Sequence, residues 1–458
     1  MCFERTAGGR RLLDPVQGQR SEPQGQWDRS DTSRCPKPAQ ALQPGVCLSQ
    51  NEYPLVVMKP VELPIFQGAK APPPPPTGWP FLRLGFRPFY LAGALTAAAL
   101  VPLWLLVSLG GIPFTPAVPG LLWHAHEMLF GFAAAIIIGF LMTAGKNWTG
   151  LQTPRGPALG ALALLWLAAR VAGLTSSSSV YAMLDVLLLP VVALVFAVLL
   201  LRAENYRNLP LALILLLLGA SNLCFHLALG GWINLDPMRA LYAALALITL
   251  IECVIAGRVI PGFTMAGCPG VRLVSSPGLE RVVLGLTPVA LLLWVIWPGA
   301  AWTAPVLAVL SAAHFRRMWQ WRTRRFFGQP TVWVLHAAYS WLPLAFLLLA
   351  GAQMGWVTAS AGVHALGLGA TGGLIIGMIT RTARGHTGRT LGASRTETLA
   401  YALVLLAAMV RVLAALLSPQ FYAGLLVLAA TAWSLAFALY LWQFTPWLFQ
   451  TRRDGKDG

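Results

Sequence analysis

The segment WHAHE at 123–127 brings two imidazoles and a carboxyl into an otherwise apolar run, and Asp185, His226, Glu252 and His364 stand in similar surroundings further along. An ionisable side chain within an apolar, membrane-length segment is costly, so each of these is a candidate functional group. Imidazole is the commonest metal-ligating side chain, and haem in helical bundles is held by histidines from facing helices. His124, His126, His226 and His364 are therefore candidate metal ligands, with haem b as the expected cofactor. A single membrane histidine also serves as a hydrogen-bonding group between helices, whereas four at one depth argue for ligation. Residues i and i+2 lie about 200° apart on a helix, so His124 and His126 cannot both face inward from a regular one. Either one of them is the ligand or the first turn is irregular. Glu127 shares a face with His124 and is expected to orient it, or else to stand as a favourable charge at a helix N-terminus.

Three arginines, Arg170, Arg239 and Arg411, lie in comparable apolar contexts. Arginine binds carboxylates through paired hydrogen bonds, which makes them candidates for haem propionates, against structural pairing with Asp185 or Asp236. Glu252, beside Cys253, reads as a proton carrier or cation ligand, or as a carboxyl kept protonated by burial. His314 and His336 are candidates for a small copper site, although two ligands alone make none. Gly369, Gly373 and Gly377 recur every four residues after His364. That stripe suits close helix packing or, on the sharper reading, a flat macrocycle laid against it.

Long apolar helices must position these groups. Of 458 residues, 57% are hydrophobic and 11% charged, where a soluble domain carries about 25% charged residues; the mean hydropathy is +0.65. Runs of bilayer-spanning length fall near 89–109, 122–144, 158–175, 180–201, 208–229, 238–260, 281–298, 302–320, 331–350, 357–380, 397–417 and 422–444. The expected fold is all-α, a polytopic membrane bundle of about twelve transmembrane helices. The net charge of +17 is a topology signal and not a nucleic-acid surface, because Lys and Arg gather between the runs.

The loops after expected helices 2, 4, 6, 8 and 10 hold Lys146 and Arg155, Arg202 and Arg207, Arg258 and Arg272, the group from Arg316 to Arg325, and the group from Arg381 to Arg395. The loops after helices 1, 7 and 9 hold no Lys or Arg. This alternation predicts both termini on the cytoplasmic side. His124, His126, His226 and His364, four of the seven histidines, then share the outer third of the membrane with Asp185. His314 and His336 fall towards the cytoplasm, and His386 in a cytoplasmic loop.

Residues 1–80 are polar, rich in Pro, Gln and Arg, with a stiff run from Pro72 to Pro76. They read as a disordered extension with a shorter start at Met58, ahead of a membrane domain over 81–446 and a basic tail over 447–458. The six cysteines form neither CxxC nor CxxCH, which argues against covalent c-type haem and against a disulfide framework.

Taken in order, LGFRPFYL at 84–91, WHAHEMLFGF at 123–132, AGKNWTG at 144–150, GRVIPGFT at 257–264, HALGLGATGG from 364 and MITRTARGHTGR ending at 389 resemble the NnrS family of bacterial membrane proteins. The resemblance covers about residues 80–445. It implies a twelve-helix inner-membrane protein containing haem and copper, tied to nitric oxide and nitrosative stress in denitrifying and related bacteria. The family motifs fall here on His124, His126, Glu127, His364, Arg381 and His386. It implies nitric oxide as the small-molecule ligand and names no settled reaction, so whether the protein is an enzyme stays open.

On this reading His364 faces His124 or His126 as an axial pair, with His226 as a spare or a second metal ligand. A haem–copper oxidase or nitric oxide reductase would share histidines on helices 2 and 10, but it needs a histidine on helix 6 and a His-His pair on helix 7, which are absent. A proton-coupled secondary transporter would use Glu252 and Asp185, and would be supported by internal repeats, of which none is evident.

Overall fold

The computed structural model describes residues 78–112, 116–175, 177–322, 324–417 and 419–457. Most of the expected N-terminal extension, including Met58, lies outside the described residues. Among the described residues the regular structure is helical throughout, with no strand. The helices are α1 (Phe86–Ser108), α2 (Gly120–Thr149), α3 (Pro157–Thr175), α4 (Ser178–Arg202), α5 (Leu209–Leu229), α6 (Pro237–Gly267), α7 (Pro277–Ile296), α8 (Ala304–Gln320), α9 (Pro330–Gln353), α10 (Ala359–His386), α11 (Arg395–Leu416) and α12 (Tyr422–Phe449).

Eleven of these stretches are long and apolar enough to cross a membrane, so the chain is a multi-pass, all-α membrane protein. The remaining one, α8, continues a 3-10 turn at Ala301–Thr303 and is less apolar because its last turns carry His314, Arg316 and Arg317. His386 is the last residue of α10, not part of a loop.

The helix starts are legible in local chemistry. Proline stands in the first turn of α5, α6, α7, α8 and α9, where its missing N–H costs nothing. Asp236 caps α6 by accepting from the Met238 N–H at 2.9 Å, and Ser394 with Glu397 forms a reciprocal capping box on α11. Gly150, at φ 71°, closes α2 in the left-handed conformation that a β-carbon disfavours. Exposed tryptophans mark both ends of the bundle, Trp232 and Trp356 at one and Trp319 and Trp442 at the other, as expected where helices leave the hydrocarbon.

Two helices form the middle of the bundle. In α2, 83% of the apolar stretch is buried and in α10, 72%, against 33% in α1. These are the helices that carry His124, His126 and His364. Both also contain a π-helical segment that starts directly after a histidine, Glu127–Ala133 after His126 and Ala365–Gly372 after His364. Such segments turn the following side chains relative to an α-helix and recur at functional sites.

The glycine stripe of α10 meets α9. A β-carbon at Gly369 would strike the Trp341 ring, one at Gly373 would strike Ala338, and one at Gly377 would strike Leu335 and Val334. The stripe is therefore filled by a neighbouring helix and leaves no space there for a macrocycle.

The last helix returns to the first, since α12 packs on α1 as well as on α11. Arg87, fully buried in the first turn of α1, donates to the backbone oxygens of Leu448 at 2.6 Å and Gln450 at 2.8 Å, where α12 ends. Those oxygens have no partner within their own helix, so the guanidinium serves as their cap.

Candidate functional site

Both histidines lie in the regular first part of α2, Gly120–His126, ahead of its π-helical segment, so residues two apart turn to different sides. His124 and His126 point into different parts of the bundle. His126 faces α4 and α5, where it meets Tyr181, Asn222, Asp185 and His226. His124 stacks on Trp104 of α1 with ring centres 4.2 Å apart, and has His364 and Arg411 as electrostatic neighbours.

The α4–α5 side is a continuous polar network in a dry interior. The Tyr181 hydroxyl donates to Glu127 Oε1 at 2.6 Å and lies 2.7 Å from His126 Nδ1. Arg170 donates to both Glu127 oxygens at 3.0 Å and is also ion-paired with Asp185. The Asn222 amide donates to Asp185 Oδ2 at 2.7 Å while its oxygen lies 2.9 Å from His126 Nε2. The Nε2 atoms of His126 and His226 are each 3.1 Å from the same oxygen, Asp185 Oδ2.

Counting protons along this network leaves it one positive charge short. Arg170 bonds hold Glu127 and Asp185 as carboxylates, and Tyr181 has one proton for two contacts. If that proton goes to Glu127 and His126 donates from Nδ1, the Nε2 lone pair faces the Asn222 oxygen. Turning the Asn222 amide over moves the conflict to Asp185, and placing the imidazole proton on Nε2 moves it to Tyr181. A second proton on the buried imidazole removes the conflict, and so does a metal ion.

The donor set fits a metal ion. His126, Asp185 and His226 each offer a ligand atom, all within 4.8 Å of one another and all buried. The two separations of 3.1 Å match donors on one tetrahedral ion, which lie about 3.3 Å apart when bonded at about 2.0 Å. Imidazole with one carboxylate suits copper, zinc or iron.

On the other side of α2, the His364 Nδ1–H donates to the Ser360 carbonyl at 2.8 Å, with the Ser360 hydroxyl at 3.2 Å. A histidine held in this way keeps the Nε2 lone pair for a ligand. Arg411 reaches the Ser360 hydroxyl at 3.3 Å through Nη2, while its Nη1 is buried without a hydrogen-bond partner among the described residues. His124 Nδ1 is likewise buried and unpartnered. Two imidazoles with donor nitrogens to spare, beside an arginine with an unused N–H group, fit a haem carrying an anionic side group.

Several expected residues have other occupations. Glu127 bonds Arg170, Tyr181 and His126 instead of orienting His124. Arg170 takes the structural pairing with Asp185 through Nη2 and bonds Glu127 through Nη1. Arg239 is exposed in the first turn of α6, its backbone N–H on Asp236, and is not brought to either histidine set.

His314 and His336 are not brought together either. His314 bonds the Tyr339 hydroxyl at 2.7 Å and lies 4.0 Å from Cys253 Sγ. His336 bonds Thr264 at 2.8 Å and stacks on Phe326. Glu252 is on α6, apart from all the histidines that form the two sets.

The site also contains Tyr181, Asn222, Ser360 and Trp104, which their residue types alone did not single out. Tyr181 precedes Asp185 by four residues and Asn222 precedes His226 by four, so each pair shares a helix face. A polar residue four positions from an expected ligand is the signal that locates them.

Among known protein families, the model described as NnrS protein matches residues 80–452. No curated protein matches the chain.

Proposed function

The chain belongs to the NnrS family, and from that premise we propose that it is a bacterial inner-membrane protein of the nitric oxide response that binds haem b and copper at two neighbouring sites. Both termini are cytoplasmic in this reading, from the distribution of Lys and Arg among the loops. The observation that supports it most is the division of the outer histidines by α2: His126 joins His226 and Asp185, while His124 keeps an unpartnered nitrogen on the side of His364.

In the first set the chain supplies His126 and His226 nitrogens and an Asp185 oxygen to copper. Tyr181 holds the His126 proton on Nδ1, and Arg170 is ion-paired with Asp185. In the second set His364 is turned by Ser360 and His124 is held against Trp104. Arg411 Nη1 offers its N–H to a propionate. Haem iron with an open or weakly held position binds nitric oxide. The surrounding apolar helices exclude ions and admit a small neutral gas.

Purification in detergent after expression with ample haem tests this directly. The visible spectrum of the oxidised and reduced protein is expected to show a Soret band that shifts on addition of nitric oxide, and His364→Ala is expected to lose it. Metal analysis of the same sample is expected to find copper. A preparation with neither haem nor copper would favour the transporter reading instead.

A further inference from the structure

At the end of the bundle marked by Trp319 and Trp442, the loop after α6, the start of α7, the end of α8 and the turn Arg324–Gly328 ahead of α9 are tied together. The Ser276 N–H donates to Gln320 Oε1 at 3.1 Å, the Trp321 indole N–H to Ser275 Oγ at 3.3 Å, and Arg325 to the Pro269 carbonyl at 2.8 Å. Phe326 stacks on His336, which fixes the turn, while its neighbour Phe327 is 72% exposed. Five arginines are exposed on this surface, Arg272, Arg281, Arg316, Arg322 and Arg324. Between Glu252 and Glu397 the chain has one acidic residue, Glu280, and both its oxygens are taken by Arg317. None of the five arginines is ion-paired among the described residues. Three large apolar side chains are exposed among them, Val274, Trp319 and Phe327, and the Arg322 guanidinium lies over the Trp319 ring at 3.7 Å.

Charge and apolar exposure together select the occupant. The placement of Lys and Arg between helices accounts for the charge, but not for the aromatic side chains left open beside it. A soluble polyanion would pair the guanidiniums and leave Phe327 and Val274 in water, at a cost in apolar surface. A phospholipid meets both demands. Its phosphate accepts paired hydrogen bonds from arginine, and its glycerol and first acyl carbons cover aromatic rings at headgroup depth. Five exposed guanidiniums with no carboxylate among them favour a lipid of net negative charge over a zwitterionic one, whose ammonium would face the same arginines. We propose that this surface binds an anionic phospholipid, its phosphate on Arg316, Arg322 and Arg324 and its chains against Trp319 and Phe327. The assignment stands apart from the haem and copper reading and needs only that the chain crosses a membrane.

The test titrates the full chain, purified in detergent and stripped of lipid, with phosphatidylglycerol or phosphatidylcholine, and counts bound lipid by native mass spectrometry. Phosphatidylglycerol is expected to bind about tenfold or more the tighter. Arg316→Gln, Arg322→Gln and Arg324→Gln combined are expected to remove that preference. Arg202→Gln, Arg207→Gln and Arg395→Gln combined, which take the same charge from exposed positions elsewhere at this end of the bundle, are expected to keep it. Trp319→Ala with Phe327→Ala is expected to weaken phosphatidylglycerol about tenfold at unchanged charge, through lost apolar contact. All three sets change exposed side chains and should leave the melting temperature in place. An undiminished preference in the first set would overturn the proposal, and so would its loss in the second, which would mark a response to net charge alone. Displacement of the lipid by an equal concentration of glycerophosphoglycerol, the headgroup without acyl chains, would also overturn it, because the surface would then serve a soluble anion.

Discussion

The Tyr181 hydroxyl lies 2.7 Å from His126 Nδ1 and gives its own proton to Glu127. That order of donation sets the tautomer of an imidazole whose other nitrogen lies among Asn222, Asp185 and His226. Tyr181→Phe removes the hydroxyl and frees the ring to carry its proton on the ligating nitrogen. Metal affinity is expected to fall by about 10- to 100-fold, the usual effect of losing an orienting partner. Competition with a chelator of known strength measures it, and unchanged affinity would show that Tyr181 does not hold the tautomer.

Because His124 and His126 serve different sides of α2, their replacements should dissociate. His126→Ala and His226→Ala are expected to lose copper and keep the Soret band. His124→Ala is expected to weaken or lose the Soret band, as His364→Ala does, and to keep copper. Absorbance and metal content on the same preparations report both. A variant pattern in which His124 and His126 behave alike would return the four histidines to a single site.

Arg170 is buried between Glu127 and Asp185. Arg170→Gln strands two carboxylates in a low-dielectric interior, and breaking a buried pair from one side costs about 3–5 kcal/mol. A marked drop in melting temperature is expected. Arg239→Gln, at an exposed position, is expected to leave it unchanged. Equal melting temperatures for the two variants would mean that Arg170 is not the cation of this network.

The C-terminal tail is held by Asp457, which lies 3.0 Å from Lys146 and 3.2 Å from Arg155. Partial burial pushes its carboxyl up, but the Lys146 ammonium, helped by Arg155, outweighs this and holds it below the usual carboxylate range. A lowered carboxyl contributes its docking fully above the ordinary carboxyl pKa, and the contribution fades as pH falls through the lowered value. Tail docking is therefore expected to be constant through neutral pH and to weaken only below about pH 4. Limited proteolysis at Arg452 and Arg453 should be slow in the wild type and fast in Asp457→Asn at pH 7. Equal cleavage rates would show that Asp457 does not anchor the tail.

Much of the fold was legible because hydrophobic length and the punctuation between runs are local properties. Each of the expected spans is a helix, and Pro237, Asp236 and Ser394 stand at the helix starts where their chemistry belongs. The content of the site was legible only in part. His126, Asp185 and His226 could be named from their surroundings, but which of them meet depends on helix rotation. The π-helical segment turns the side chains that follow His126, and periodicity does not reveal it. The arginines show the same limit, since Arg170, Arg239 and Arg411 look alike in sequence. One is in an ion-pair network, one is exposed, and one keeps an unpartnered nitrogen beside Ser360.

The contact of Arg87 with the end of α12 bears on the order of assembly. A chain made from its N-terminus inserts α1 well before α12, so the carbonyl partners of this guanidinium at Leu448 and Gln450 arrive only with α12. Until then α1 lacks the packing surface that α12 supplies and these two carbonyl contacts. The closure of α1 on α12 accordingly waits until α12 has been made, although α1 already has α2 beside it.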